Sequence, residues 1–340
     1  MFSVACIIPV TGNTEGLETT LLSVLERRTD TCEVLVVLNT PYNDPYHLQG
    51  EIQILQAPAG TGLIDCINLG ISASRAPIVH LLATGCEASH NWMEHALAHF
   101  DDPRVAAVTP VIYDRQDHER LLAAGVGYDR GGRRIICRST RAANDSLSTT
   151  LGPLLQAAFY RKSALRAFGG GLPVAVGDEL ADIDLALSLR CAGWQLLLEP
   201  DCKIFASSMT ELQPKGFSSG LWSERFYWRH ITQTGGLRGL FLHSLVALQD
   251  LIRSRPWWNA PAQATGRLIA VCQLGHYSKY KLSLVAALRD AAAAEAQWQT
   301  GQKVSNIQSS VPRVQHRTDA PHRSVQPSER NKQRHSHRRR

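Results

Sequence analysis

The chain has 340 residues, 44% of them hydrophobic, enough apolar material for one large α/β core with an appended helical lobe, which excludes a protein disordered throughout. Its formal charge of +6 sits at one end: residues 301–340 carry ten Lys or Arg against two acids, leaving 26 basic and 28 acidic residues in 1–300. A slightly acidic body argues against a broad nucleic-acid surface. The tail, with no aromatic residue after Trp298, reads as disordered, attracting polyanions loosely and without a specific nucleic-acid site.

In chain order, short apolar runs alternate with helical patterns, the signature of βαβ units around a largely parallel sheet. Strands are expected at 4–8, 33–38, 52–55, 78–82 and 105–109, and helices at 16–26, 63–74 and 92–100. The near-continuous apolar character of the strands predicts burial on both faces. From 110 to 150 the Gly-, Arg- and Asp-rich sequence loosens into an irregular insertion or hairpin. Regular patterning then predicts a helix at 158–168 closed by glycines 169–171, a helix at 182–192 closed by Gly193, and a strand at 195–198. The organisation expected is an α/β domain over 1–210, a helical lobe over 211–300 and the basic tail over 301–340.

The eight cysteines, with no CxxC pair and no metal-like spacing to His, read as buried thiols in a reducing cytoplasm. Residues 1–10 lack the charged start and long apolar run of a signal peptide. The most apolar stretch of the second half, 240–252, is interrupted by His243, Gln249 and Asp250 and falls short of the ~20 clean residues of a membrane span. Its apolar positions 241, 245, 248 and 252 form one face of an amphipathic helix, which more often packs in a core but is compatible with a peripheral position at the inner face of the membrane.

In an open parallel sheet, ligands bind at the carboxyl ends of the strands, so the loops after Ile8, Leu38 and Leu82 are expected to face one site. Several segments carry a resemblance. Ile7-Ile8-Pro9-Val10, the 21–25 helix, Glu33 to Asn39, Asn68-Leu69-Gly70-Ile71, Leu81-Leu82 and Asn91-Trp92-Met93-Glu94 are followed in order by Ala157 to Leu165, Phe168-Gly169-Gly170, Asp182-Ile183-Asp184-Leu185-Ala186-Leu187, Ala192-Gly193-Trp194 and Glu199-Pro200-Asp201. Over about residues 3–235 the chain resembles family 2 glycosyltransferases. The resemblance implies a GT-A fold, a nucleotide-sugar donor and a saccharide or lipid-linked acceptor in cell-envelope or polysaccharide synthesis. It also implies inverting transfer, with Asp182 in the position of the base. Pro9, Val10, Thr11, Asn39, Asn68 and Thr84 fall where the nucleotide would bind. The competing reading of Asp182 is a helix-start carboxylate that satisfies free N–H groups. Asp184, two positions on, faces elsewhere and reads as structural.

The departures are as informative. Where the family carries acidic residues for a divalent cation, Mg or Mn, this chain has Ala83-Thr84-Gly85; no metal ligand is assigned, and Glu87 alone reads as a solvated loop residue. Leu38 stands where an Asp often occurs, and Ile204-Phe205-Ala206 where a His is common. Arg225 and Arg229, four apart on one predicted helix face, are candidates to hold the diphosphate in the cation's place. Trp257 and Trp258 are candidates for stacking on a sugar, although core anchoring is commoner. The alternative reading is a catalytically inactive GT-A domain that binds a nucleotide, a glycan or a partner enzyme.

Overall fold

The computed structural model describes residues 2–45, 47–128, 133–139, 150–209, 216–230, 236–254 and 256–310. The expected tail therefore lies, from residue 311 on, outside the described residues. The apolar runs become β1 (Val4–Val10), β2 (Cys32–Leu38), β3 (Gln53–Gln56), β4 (Ile78–Leu82) and β6 (Val105–Asp114), separated by α1 (Leu17–Arg27), α2 (Leu63–Ala73), a short β5 (Cys86–Ala88) and α3 (Trp92–Ala98). Every residue of β1, β2 and β4 is buried, as strands sandwiched between helical layers require.

The stretch expected to be irregular contains β7 (Leu121–Ala123) and a separate hairpin of β8 (Val126–Tyr128) and β9 (Arg134–Ile136). The predicted helix at 158–168 is instead mostly strand: β10 (Ala157–Arg161) runs antiparallel between β4 and β6, followed by one helical turn, α4 (Lys162–Leu165). Ala157, Ala158, Phe159 and Tyr160 are all buried, and a segment with no polar face is better satisfied between two strands than on a surface helix. After α5 (Ala181–Cys191), β11 (Gln195–Ala206) is far longer than the four residues expected, because beyond irregularities at Gln195 and after Glu199 it stays paired with β6. The sheet order is β3-β2-β1-β4-β10-β6-β11-β5, with β7 on β6. The pairs of β1, β2, β3 and β4 are parallel, as is β6 with β11, whereas β10 and β5 are antiparallel insertions.

One core lies between the sheet and α1 and α3, the other between the sheet and α2, α5 and part of the C-terminal region. A Cβ on Gly70 would stand 2.5 Å from Ile7 Cγ2, so α2 sits against β1 at a distance only glycine permits. The C-terminal helices are α6 (Gly216–Arg229), α7 (Gly236–Arg253), α8 (Asn259–Cys272) and α9 (Leu274–Ser310). Helices α6 and α8 cross with their backbones in contact: a Cβ on Gly220 would meet Gln263 O at 1.9 Å and one on Gly266 would meet Phe217 O at 2.2 Å.

Two buried ionic clusters tie this region together. Asp184, fully buried in α5, accepts bonds from Arg229 Nε at 2.8 Å and Nη2 at 2.7 Å, and lies 2.9 Å from His230 Nε2. Burial alone would push this carboxyl up, but Arg229 and His230 outweigh it and hold it below the ordinary carboxylate range. Arg229 also packs 4.0 Å over the Tyr280 ring. Glu224 accepts bonds from Arg267 at 2.8 Å and Trp228 at 2.8 Å, with His243 at 3.1 Å. Burial opposes its ionisation too, and His243 and Arg267 bring it below the usual value. Among the described residues no helix is long and apolar enough to cross a membrane.

Candidate functional site

The carboxyl ends of β1 and β4 open onto one cleft. Its walls are Pro9 and Thr11 from the first loop, Ala83 and Thr84 from the loop after β4, Leu63 at the start of α2, Leu155 and Gln156 ahead of β10, Arg134 on the β8–β9 hairpin, and Asp178, Glu179 and Asp182 at the entry to α5. Each wall is held by local structure. Gly16, at φ 79, lets the first loop approach the second so closely that a Cβ there would stand 2.9 Å from the Gly85 backbone. Gly85 N in turn donates to Thr20 Oγ1 at 2.9 Å. Asn39 accepts from Gly12 N at 2.9 Å and donates to Thr61 O at 2.7 Å, clamping the first loop to the segment that leads into α2.

The opposite wall is anchored at long range. The Asp178 carboxylate accepts the first two free amides of α2, from Leu63 N at 3.1 Å and Ile64 N at 3.2 Å, in place of the side-chain cap that Gly62 cannot supply. Beside it, Glu179 keeps a buried oxygen with no hydrogen bond; burial first, and then the charge of Asp178, push its carboxyl up. Asp182, fully buried, receives a bidentate pair from Arg134, Nε to Oδ1 at 2.8 Å and Nη2 to Oδ2 at 2.6 Å, and its Oδ1 also accepts from Ile183 N at 2.7 Å.

Of the residues expected to act, Asp182, Pro9, Thr11 and Thr84 line this cleft together. Asn39 fixes its loops from behind. Val10 lies in the core against α1. Asn68 is spent on a two-way bond with Leu172, accepting at 2.7 Å and donating at 3.0 Å. The pairing of Arg225 and Arg229 as phosphate ligands fails on geometry. The Arg229 side chain is 6% exposed and engaged by Asp184, while Arg225 donates to Gln273 Oε1 at 2.7 Å and Ala175 O at 3.0 Å. Among the described residues, the cation that lines the cleft is Arg134, which no motif marked. Trp257 and Trp258 are exposed and anchor no core.

The donor set of the loop after β4 does not fit a divalent cation. Ala83-Thr84-Gly85 offers one hydroxyl and backbone carbonyls where Mg or Mn requires several carboxylate or water oxygens. Glu87 lies against the Arg115 guanidinium, Asp178 is occupied by α2 and Asp182 by Arg134.

With this geometry in view, comparison with known proteins is informative. Residues 5–169 match the model of glycosyl transferase family 2. A pre-mycofactocin glycosyltransferase of Mycobacterium tuberculosis is 27% identical over 216 residues, 62% of this chain and 44% of that protein. The chain thus spans less than half the length of the curated relatives it matches. Among solved structures, TarS 1–349 of S. aureus superposes with a TM-score of 0.52 at 12% identity, covering 88% of this chain and 92% of that one. A mannosyltransferase from Pyrobaculum calidifontis, in complex with GDP-Man and Mn2+, gives 0.48 at 16% identity, over 85% and 86%. The mixed sheet flanked by helices and the TarS superposition agree on a GT-A fold, and residues 5–169 carry a glycosyl transferase family 2 domain.

Proposed function

We propose that the protein is an inverting glycosyltransferase that moves a sugar from a nucleotide-sugar donor to a saccharide or lipid-linked acceptor. The observation that carries this reading is the convergence of Asp182 with the loops after β1 and β4 in one cleft, where the donor of a GT-A domain would lie. In the reaction, the acceptor oxygen attacks the anomeric carbon from the face opposite the leaving group. Its proton passes to the Asp182 carboxylate, and the bond from the anomeric carbon to the phosphate oxygen breaks, its electron pair leaving with the nucleoside diphosphate. The N–H of Ile183, donated to Oδ1, fixes the orientation of this carboxylate at the start of α5.

Peripheral membrane contact belongs to the same reading. Leu237, Phe241, Leu245, Leu248 and Ile252 form an exposed apolar row on α7, continued by Trp257 and Trp258, with Arg238 and Arg253 near its ends. Apolar side chains flanked by tryptophans and cations suit the boundary between headgroups and acyl chains, which would bring a lipid-linked acceptor to the enzyme.

Incubating the full chain with a panel of nucleotide sugars and mixed saccharide and polyprenyl-phosphate acceptors, with product detection by mass spectrometry, tests the reading. Transfer should occur with inversion, and Asp182→Asn should lower kcat at least ~10²-fold, the low end for loss of a general base, while donor binding persists. Donor binding without transfer in the wild type would leave the inactive binding module as the better account.

A further inference from the structure

The cleft has one feature that a metal-dependent transferase would not need: a guanidinium paired in two-point geometry with the carboxylate proposed as base. Departure of a nucleoside diphosphate develops negative charge on its phosphates, and something in the site must neutralise it. The loop after β4, with Ala83-Thr84-Gly85, does not offer the oxygens a divalent cation requires. Arg225 and Arg229 are committed to other partners. Among the described residues, the cation that lines the cleft wall is Arg134, whose side chain keeps 19% exposure beside a wholly buried Asp182.

Building on the transferase reading, we propose that Arg134 takes the cation's place. It pairs with Asp182 in the empty cleft and passes to the diphosphate when the donor enters, which frees Asp182 to accept the acceptor's proton. Chemistry favours the exchange. The planar guanidinium fork fits two phosphate oxygens as well as it fits two carboxylate oxygens. With Arg134 on both oxygens of Asp182, the acceptor hydroxyl has to compete with the guanidinium for them, and the passage of Arg134 to the diphosphate removes that competitor when the leaving group is in position. The neighbouring Arg133, immediately before β9, is directed away, to Asp250 and Gln249, so adjacent residues supply a cleft cation and a tie to α7. The ion pair therefore couples donor occupancy to base release and leaves the base masked when no donor is present.

The test is calorimetric binding of pyrophosphate, UDP and GDP to the full chain in excess EDTA, for the wild type, Arg134→Ala, Arg134→Lys, Asp182→Asn and the double variant Arg134→Ala/Asp182→Asn. The double variant removes both charges, so it leaves no unpaired carboxylate to disturb folding. Wild type should bind in EDTA. Arg134→Ala and the double variant should bind about ten- to a hundredfold more weakly, the loss expected for charge-assisted bonds. Arg134→Lys should fall between, and Asp182→Asn, which releases the guanidinium, should bind more tightly than wild type. Undiminished binding by both Arg134→Ala and the double variant, or binding that appears only on adding Mn2+, overturns the proposal and leaves the transferase reading intact. No diphosphate binding by any variant, with or without Mn2+, overturns both.

Discussion

Replacing Arg229 with leucine separates the two roles that its position suggests. In the structure its guanidinium makes two bonds of 2.8 and 2.7 Å to a carboxylate with no solvent exposure. Deleting it leaves Asp184 buried with His230 as its remaining ionic partner. Breaking a buried pair from one side costs about 3–5 kcal/mol. At ~2 °C per kcal/mol for a chain of this size, Tm should fall by roughly 6–10 °C. Differential scanning calorimetry reads the loss, and UDP binding at a temperature well below the transition should be unchanged. Substituting Asp184→Leu in the same chain should restore part of the loss, because two apolar side chains in a packed site cost less than one unpaired charge. A Tm that does not move, together with weakened UDP binding, would refute this reasoning and return Arg229 to the phosphate.

Two further predictions concern Glu179 and the helix crossing. The Glu179 carboxyl is pushed up in the folded state, so it costs nothing below the ordinary carboxylate range, and its cost grows as pH rises and the fold resists ionisation; Glu179→Gln should therefore raise Tm at pH 7 and leave it unchanged near pH 4, as thermal melts across that range would report. Gly220→Ala places a methyl where the nearest neighbours are the Gln263 backbone atoms, which cannot rotate away; it should cost at least ~1–3 kcal/mol and alter near-ultraviolet dichroism, while Ser219→Ala, which removes only a 3.3 Å contact with Gln263, should do neither.

The first half of the sheet was legible because burial on both faces writes itself as unbroken apolar runs: Val4–Val10 and Cys32–Leu38 fit little else. The 158–168 segment misled because Ala, Phe, Tyr and Leu in that order satisfy a helical period as readily as a strand. What decided it was the vacancy between β4 and β6, a property of partners that local sequence does not contain. The spacing of Arg225 and Arg229 correctly put both on one side of α6 but said nothing of what they meet. A signal for Arg229 did exist. An acid flanked by Ile183, Leu185, Ala186 and Leu187 has to be buried, and a buried carboxylate has to have a cation, so Asp184 called for an arginine somewhere in the chain. Arg134 left no such trace. It lies in the Gly- and Arg-rich stretch without periodicity, 48 residues before Asp182, and only the hairpin's fold aims it at the cleft.

The Asp178 bond to α2 has an electrostatic consequence for whatever enters. A helix start bordering a nucleotide cleft is ordinarily a place where phosphates settle, since its exposed amides and its dipole both welcome negative charge. Here that berth is already taken by a carboxylate of the chain itself, with a second acid, Glu179, beside it. The α2 side of the cleft thus repels anions, and the cleft's cation lies on the other side, at Arg134 in its pair with Asp182. Such a charge gradient orients a ligand before any contact with its sugar or base is made, favouring molecules that carry their anionic group at one end and a neutral hydroxylated group at the other.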